Sequence, residues 1–260
     1  LALVAGLLGV VPAPRALAAN CANNSSTQYR SRTSGNWGTA STWECSDDGT
    51  NWQTPSSDTP TSANATITIQ SGHTVTVASA VSVDQVTVVG NLTISAASVT
   101  LTIADGTGTD LVVATGGVFT NSATSGGITT GGTWTWQVQN GGTYVHNSGT
   151  AIATPLDKAT LQATSNFIYR GSSSVTPAVS MSGKTYGNLS FESSSGAWST
   201  LALTGGTATT IQGSFSIGSN VTFNNNALVG LNVGANWTNN GTFTAGSGTV
   251  TFNGTAGDQT

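Results

Sequence analysis

The sequence predicts an all-β fold, a β-solenoid of the right-handed parallel β-helix type behind a small N-terminal cap. Short runs of alternating apolar and hydroxyl residues follow one another closely, and no segment after residue 20 has the spacing of an amphipathic helix. Charged residues make up only 6% of the chain, against about a quarter in an ordinary soluble domain. Its solubility must therefore come from hydroxyl and amide groups.

The alternation begins at Ala65, where Ile67, Ile69, Val75 and Val77 are apolar and threonines stand between them. A period of two residues is typical of strands, and Val, Ile and Thr are the residues that strands favour. These residues also argue against disorder, which is usual in chains rich in charge. Further runs of this kind are 81–83, 86–88, 92–94, 99–103 and 111–113.

A glycine two residues before an aromatic residue recurs along the chain. We expect each glycine to form a corner with positive φ, and each ring to point inward and stack on the equivalent ring of the next coil. Longer segments also resemble each other: 142–150 aligns with 241–249, and 167–171 with 250–254. Units that recur in one order predict an array of stacked units. The glycine–aromatic pairs are Gly117 with Phe119, Gly132 with Trp134, Gly142 with Tyr144, Gly213 with Phe215, and Gly241 with Phe243.

The alternative fold is a string of small β-sandwiches, which would need domains of roughly 100 residues with Greek-key spacing. Short runs with barely a loop between them favour the solenoid. We divide the chain into a signal peptide (1–19), a cap (20–61), a first solenoid part (62–153) and solenoid repeats (154–260). Because the last repeat is incomplete, we expect the polypeptide to continue beyond Thr260, with an aromatic-x-Asn-Leu segment about 10 to 20 residues after Gly254.

The N-terminus predicts export. Residues 1–11 are uninterruptedly apolar but too short to span a bilayer, and Ala16-Leu17-Ala18 supplies the small residues of a signal peptidase site. A truncated membrane anchor is the alternative interpretation of this apolar segment. If it is a signal peptide and is cleaved, we expect no membrane span in the mature chain. Cys21 and Cys45 both remain, and an oxidising compartment would pair them in a disulfide that closes the cap. We expect a secreted or cell-surface protein.

Two segments resemble known bacterial proteins. Asn36-Trp37, Ser41-Thr42-Trp43, Pro60 and the strands of 65–77 are similar to the eight-glycine domain that opens some large extracellular proteins. Residues 186–191 and 236–255 resemble the repeats of bacterial cell-surface β-solenoid proteins with adhesin-like or autotransporter-like stalks. The resemblance implies a stalk architecture and says less about function, which lies in regions that vary.

Composition and spacing offer no catalytic machinery and imply no cofactor. The chain has six Lys and Arg residues, too few to neutralise a row of phosphates, so nucleic acid is excluded as a partner. His73 and His146 have no second His or Cys at metal-ligand spacing, so we expect no metal centre. A polysaccharide-degrading enzyme would need clustered carboxylates, and Gly-x-Ser-x-Gly is absent.

Two features leave alternatives open. The segment from Asp105 to Asp110 could wrap a calcium ion, but a glycine-rich turn between strands explains it better. Trp134 and Trp136 share one face of a strand and are the best candidates to stack on a glycan, although core packing is favoured for each. We therefore expect a non-enzymatic surface module, a stalk or adhesin-like element whose partners are surface glycans or host and matrix components. A glycan-binding module of a polysaccharide-active protein is the alternative.

Overall fold

The computed structural model describes residues 21–55, 57–95, 98–130 and 132–254. The signal peptide expected at 1–19 lies outside the described residues. The protein is a β-solenoid of about 8 turns whose strands stack in parallel, which confirms the predicted fold class.

Strands are short, three or four residues in most coils, because each coil turns a corner after every strand. The first half contains β1 (Gln28–Ser31), β2 (Gly35–Asn36), β3 (Trp43–Ser46), β4 (Thr66–Ile69), β5 (Thr74–Val77), β6 (Val81–Val83), β7 (Val86–Val88), β8 (Asn91–Ile94), β9 (Val99–Ile103), β10 (Leu111–Val113), β11 (Val118–Asn121), β12 (Gly126–Thr130), β13 (Trp136–Val138) and β14 (Thr143–His146). One turn of 3₁₀ helix, Ala40–Thr42, precedes β3.

A five-residue helix, α1 (Ala153–Asp157), separates the two halves. The second half contains β15 (Ala159–Leu161), β16 (Asn166–Ser172), β17 (Thr185–Tyr186), β18 (Asn188–Ser195), β19 (Trp198–Ser199), β20 (Thr204–Gly205), β21 (Thr209–Ile211), β22 (Phe215–Ile217), β23 (Val221–Asn224), β24 (Ala227–Leu228), β25 (Gly230–Val233), β26 (Trp237–Asn239), β27 (Thr242–Thr244) and β28 (Thr249–Phe252).

The strands form long ladders that run along the solenoid. A nine-stranded sheet, in the order β2-β5-β8-β11-β14-β16-β18-β22-β26, is continuous from the cap to the last coil. A second wall is made by β1, β4, β7, β10, β13 and β15, with β3 at its edge, and then by β17, β21, β25 and β28. The third wall has two separate pieces, β6-β9-β12 and β19-β23-β27, and this interruption positions the candidate site.

The cap joins the solenoid directly. β1 pairs in parallel with β4 and antiparallel with β3, so the first coil already begins within residues 20–61. Cys21 and Cys45 form a disulfide across 24 residues, as the sequence predicts. Trp37 and Trp43 are buried beneath it with ring centroids 4.8 Å apart.

Two inward ladders of the nine-stranded sheet form the core. In the first, aligned residues of successive coils run from Val75 to Trp237 and include four aromatic rings between them. In the second, Asn121 and His146 are polar and buried, whereas the polar residue at the end of the ladder, Asn239, is exposed. The first ladder is Val75, Leu92, Phe119, Tyr144, Phe167, Leu189, Phe215 and Trp237; the second is Val77, Ile94, Asn121, His146, Tyr169, Phe191, Ile217 and Asn239.

Among the glycines of the five glycine–aromatic pairs, Gly132 has the expected positive φ, 73°, whereas the other four lie close to atoms that leave no room for a side chain. At Gly117, a Cβ atom would lie 2.0 Å from the carbonyl oxygen of Val88 in the preceding coil, so close backbone approach excludes a side chain there. The positive φ of 80° belongs to the preceding residue, Gly116. Phe119 packs edge-on against Tyr144 of the next coil with ring centroids 5.3 Å apart, so the two rings meet as expected but are not stacked face to face.

The aligned segments are not structurally equivalent. Tyr144 lies on the nine-stranded sheet, whereas its aligned counterpart Phe243 lies on β27 of the third wall. Likewise 167–171 lies on β16 of the nine-stranded sheet, whereas residues 250–252 lie on β28 of the second wall. Coils of unequal length place similar corners on different walls, so the alignment reflected composition rather than position in the coil.

Candidate binding groove

The third wall lacks strands in the two coils that contain β14 and β16. After β14 the chain turns into α1, and after β16 it forms a loop over residues 173–184 instead of a strand that extends β12. A groove of about 470 Å³ opens across this interruption, lined by residues 122–124, 147–149 and 174–176 of three successive coils. The lining is made of hydroxyl, amide and small apolar side chains, and none of its residues is ionisable.

Hydrogen bonds within the coil corners hold the groove in place. The hydroxyl of Ser148 donates to the carbonyl of Ala123 in the preceding coil at 2.5 Å and lies 2.7 Å from the hydroxyl of Thr150. The backbone N–H of Ala178, in the following coil, donates to the carbonyl of Ser148 at 2.9 Å. The three coils are thus fixed to one another at this corner.

One polar atom of the lining has no partner. The side-chain oxygen of Asn147 is buried without a hydrogen-bond donor, and its amide nitrogen makes one long contact, 3.4 Å, to the hydroxyl of Ser122. A buried acceptor without a donor is unfavourable by about 1–3 kcal/mol. A group that brings an O–H or N–H to this corner would relieve that cost.

Beneath the groove lies a buried polar cluster. The Nε2 atom of His146 is 3.1 Å from the carbonyl of Thr150, and its Nδ1 atom is 3.2 Å from the hydroxyl of Tyr144. Since a carbonyl can only accept, Nε2 carries the proton and Nδ1 accepts from Tyr144. Burial lowers the pKa of His146 to about 4 and raises that of Tyr144, so both groups are neutral at neutral pH.

The same cluster extends into the next two coils. The hydroxyls of Tyr169 and Tyr186 are 2.9 Å apart, and both donate to the carbonyl of Ser180 in the loop that replaces the missing strand. Burial raises the pKa of both tyrosines. Because both hydroxyls are neutral and hydrogen-bonded, they hold the loop in place rather than carry out proton transfer.

A second groove adjoins the first along the same face. It measures about 300 Å³ and is lined by residues 177, 179–182 and 201–204, where Ser180, Ser182 and Thr204 stand beside apolar side chains. Leu201 at its rim is 76% exposed, and Met181 at its base is buried. Both grooves of the interrupted face therefore combine polar and apolar side chains.

The two candidate tryptophans lie in the core. Trp134 and Trp136 are each 1% exposed, and the indole N–H of Trp136 donates to the carbonyl of Pro155 at 2.7 Å. Only Trp136 belongs to a strand, and its ring packs edge-on against Tyr144 at 5.0 Å. Neither indole presents a face to solvent, so this structure gives them the packing role and leaves no ring surface for a sugar.

The segment from Asp105 to Asp110 ties two coils together. Asp110 is buried and accepts the backbone N–H groups of Gly106 at 2.8 Å and Thr135 at 2.6 Å. Asp105 accepts the hydroxyl of Thr133 at 2.9 Å. These bonds are those of a structural turn.

Burial and the neighbouring Asp110 carboxylate raise the pKa of Asp84 in the preceding coil.

The remaining described residues form neither a metal site nor a catalytic triad. In the described ranges no group of three His, Cys, Asp or Glu side chains could hold a metal ion. His73 lies 2.9 Å from the hydroxyl of Ser31, which also accepts the backbone N–H of Gln70, and no carboxylate completes a triad there. Within the same ranges no helix is long and apolar enough to cross a membrane.

Comparison with family models, with curated proteins and with solved structures gives no match for this chain. The eight-glycine and adhesin-like resemblances therefore stay predictions from sequence.

Proposed function

We propose that this chain is a non-enzymatic structural module of an exported protein, a rigid stalk or adhesin-like element at the cell surface. The observation that carries the proposal is the continuous aromatic core. Seven successive ring contacts, with centroids 4.6 to 6.0 Å apart, run from Phe119 to Phe252 without a break. A core whose rings join each coil to the next from Phe119 onward makes this part of the rod stiff along its axis, and each coil adds about 4.8 Å to its length.

The exterior supports the same role. Ladders of uncharged side chains link neighbouring coils: the hydroxyls of Thr102 and Thr129 are 3.0 Å apart, and the amide of Asn188 donates to Asn166 at 3.1 Å. Such a surface stays hydrated at any salt concentration, because it does not depend on charge. Surface glycans, or host and matrix components, are the partners that this role implies.

Export rests on the sequence of residues 1–19 and is supported by the paired cysteines, since disulfides persist in oxidising compartments. The test is a fusion of residues 1–30 to a reporter that becomes active only outside the bacterial cytoplasm, with a fusion of residues 20–30 as the matched control. We expect activity from the first fusion alone. Equal activity of the two fusions would refute export.

Surface location needs its own measurement. We expect an antibody against the chain to label intact cells, and external protease to remove the label while a periplasmic marker survives. Labelling only after the cells are opened would refute the surface role and leave export standing.

A second candidate function is glycan binding within a polysaccharide-active extracellular protein. The specific observation in its favour is the uncharged groove across residues 122–124, 147–149 and 174–176. Neutral hydroxyl and amide groups beside small apolar side chains match the mixed surface of a sugar ring.

A further inference from the structure

We propose that the groove is a binding site for a neutral, polyhydroxylated ligand, an uncharged oligosaccharide. The proposal rests on the glycan-binding candidate above and assigns it to one face of the solenoid, where the third wall is interrupted. This site uses none of the aromatic residues that the sequence suggested for glycan binding.

Charge selects the class of ligand. The groove lining contains no ionisable residue, and His146 and Tyr144 beneath it are both neutral because burial disfavours their charged forms. An anionic polysaccharide would lose its hydration there without gaining a cationic partner. A neutral ligand pays no such penalty.

Hydrogen-bonding capacity narrows the class further. The side-chain oxygen of Asn147 is a buried acceptor without a donor, whereas the hydroxyl of Ser148 is held in place by Ala123 and Thr150. Ligand hydroxyls can donate to and accept from the exposed hydroxyls of Thr124 and Thr176 at the rim. Hydroxyl groups, which both donate and accept, suit this arrangement better than carbonyl or amine groups alone.

The groove is also rigid and apolar in part. Ala123 and Val175 lie between the polar groups of the lining, where the C–H groups of a sugar can pack. The backbone of Val175 is fixed by the hydroxyl of Ser172, which accepts its N–H at 3.0 Å. A site held in place before binding loses little conformational freedom when the ligand arrives.

The structure offers a substitution that fills the groove without disturbing the core. At Gly149 the nearest atom to an added Cβ is the carbonyl oxygen of Thr176 at 3.7 Å, so Gly149→Tyr places a ring in the groove. Gly38→Tyr is the matched control, because Gly38 also has open space around it and lies in the cap. Circular dichroism and thermal melting should show that both variants retain the fold.

The probes are maltoheptaose, cellohexaose and mannohexaose as neutral oligosaccharides, and oligogalacturonate as the charged one, each titrated into the purified chain by NMR or calorimetry. We expect at least one neutral probe to bind, Gly149→Tyr to weaken it at least tenfold, and Gly38→Tyr to leave it unchanged. Oligogalacturonate should bind at least tenfold more weakly than that probe.

The outcomes separate the site from the function. Neutral binding that survives Gly149→Tyr would overturn the site and leave glycan binding intact. Preference for oligogalacturonate would overturn the charge argument. No binding by any probe would overturn both this site and the glycan-binding candidate, while the export and surface tests would still decide the structural role.

Discussion

Acidification should destabilise the solenoid through one buried ring. His146 packs between Tyr144 and Tyr169 in the core, with its Nε2–H on the carbonyl of Thr150, and burial lowers its pKa to about 4 from an unfolded value of 6.5. As pH falls below 6.5 the unfolded chain takes up a proton on this residue, whereas the folded protein does so only near pH 4. The free energy of unfolding must therefore decrease across that window.

The magnitude follows from the difference in pKa. One proton bound only by the unfolded state lowers the free energy of unfolding by about 1.4 kcal/mol for each pH unit, so the loss between pH 6.5 and 4 totals about 3 kcal/mol. That is a large fraction of the stability of a typical domain. Below pH 4 both states are protonated and this contribution levels off.

The assay is denaturant unfolding followed by tryptophan fluorescence at half-unit steps from pH 7.5 to 4. His146→Gln keeps an amide that can reach the Thr150 carbonyl but cannot titrate, so its stability should lose most of the slope. His73→Gln makes the same change at the other histidine and is the matched control. An unchanged slope in His146→Gln would refute the reasoning.

Three further outcomes are expected. Replacing Cys21 and Cys45 by serine should lower the free energy of unfolding by roughly 3 kcal/mol, since the bond closes a loop across 24 residues; mass spectrometry that finds two free thiols in the exported protein would contradict the disulfide. Asp84→Asn should raise the melting temperature at pH 7, because the raised pKa of Asp84 means that its charged form is unfavourable beside Asp110. This gain in melting temperature should fade on acidification, as the Asp84 carboxyl of the unmodified protein becomes protonated. A lower melting temperature of Asp84→Asn at pH 7 would contradict the prediction. Phe191→Ala should destabilise by about 3–5 kcal/mol, as its ring contacts four others, whereas Phe252→Ala, at a 52% exposed ring, should cost far less in the same urea titration.

Much of the fold is readable from the sequence because strand periodicity is local. The run from Ile67 to Ile69 and every later alternating run up to Leu111–Val113 form strands, β4 to β10, in the expected order. Most of their apolar residues are buried and their threonines are more exposed, although Val81 and Val112 are only partly buried, so residue type indicates the face at most positions. The disulfide was equally accessible, since two cysteines leave one pairing within the chain.

The rest depends on register, which the sequence does not display. The groove joins residues near 123, 148 and 175, and only the pairing of β11, β14 and β16 brings these coil corners together. Helix α1 is five residues long, too short to show a helical period, and it contains a proline. From the sequence, Trp134 and Trp136 could each lie on the surface or in the core, because the sequence does not show which way either side chain faces.

Two buried polar residues of the core ladder, His146 and Tyr169, and the gap in the third wall have one physical cause. Where a strand is missing, the backbone carbonyls of the replacing loops lose the neighbours that a sheet would give them, and a buried carbonyl without a donor is costly. Interior side chains supply the donors: His146 donates to the carbonyl of Thr150, and the hydroxyls of Tyr169 and Tyr186 donate to the carbonyl of Ser180. An apolar residue at position 146 would restore the ladder's pattern but leave the Thr150 carbonyl unpaired. The open face of the solenoid and its acid sensitivity therefore come from the same coils.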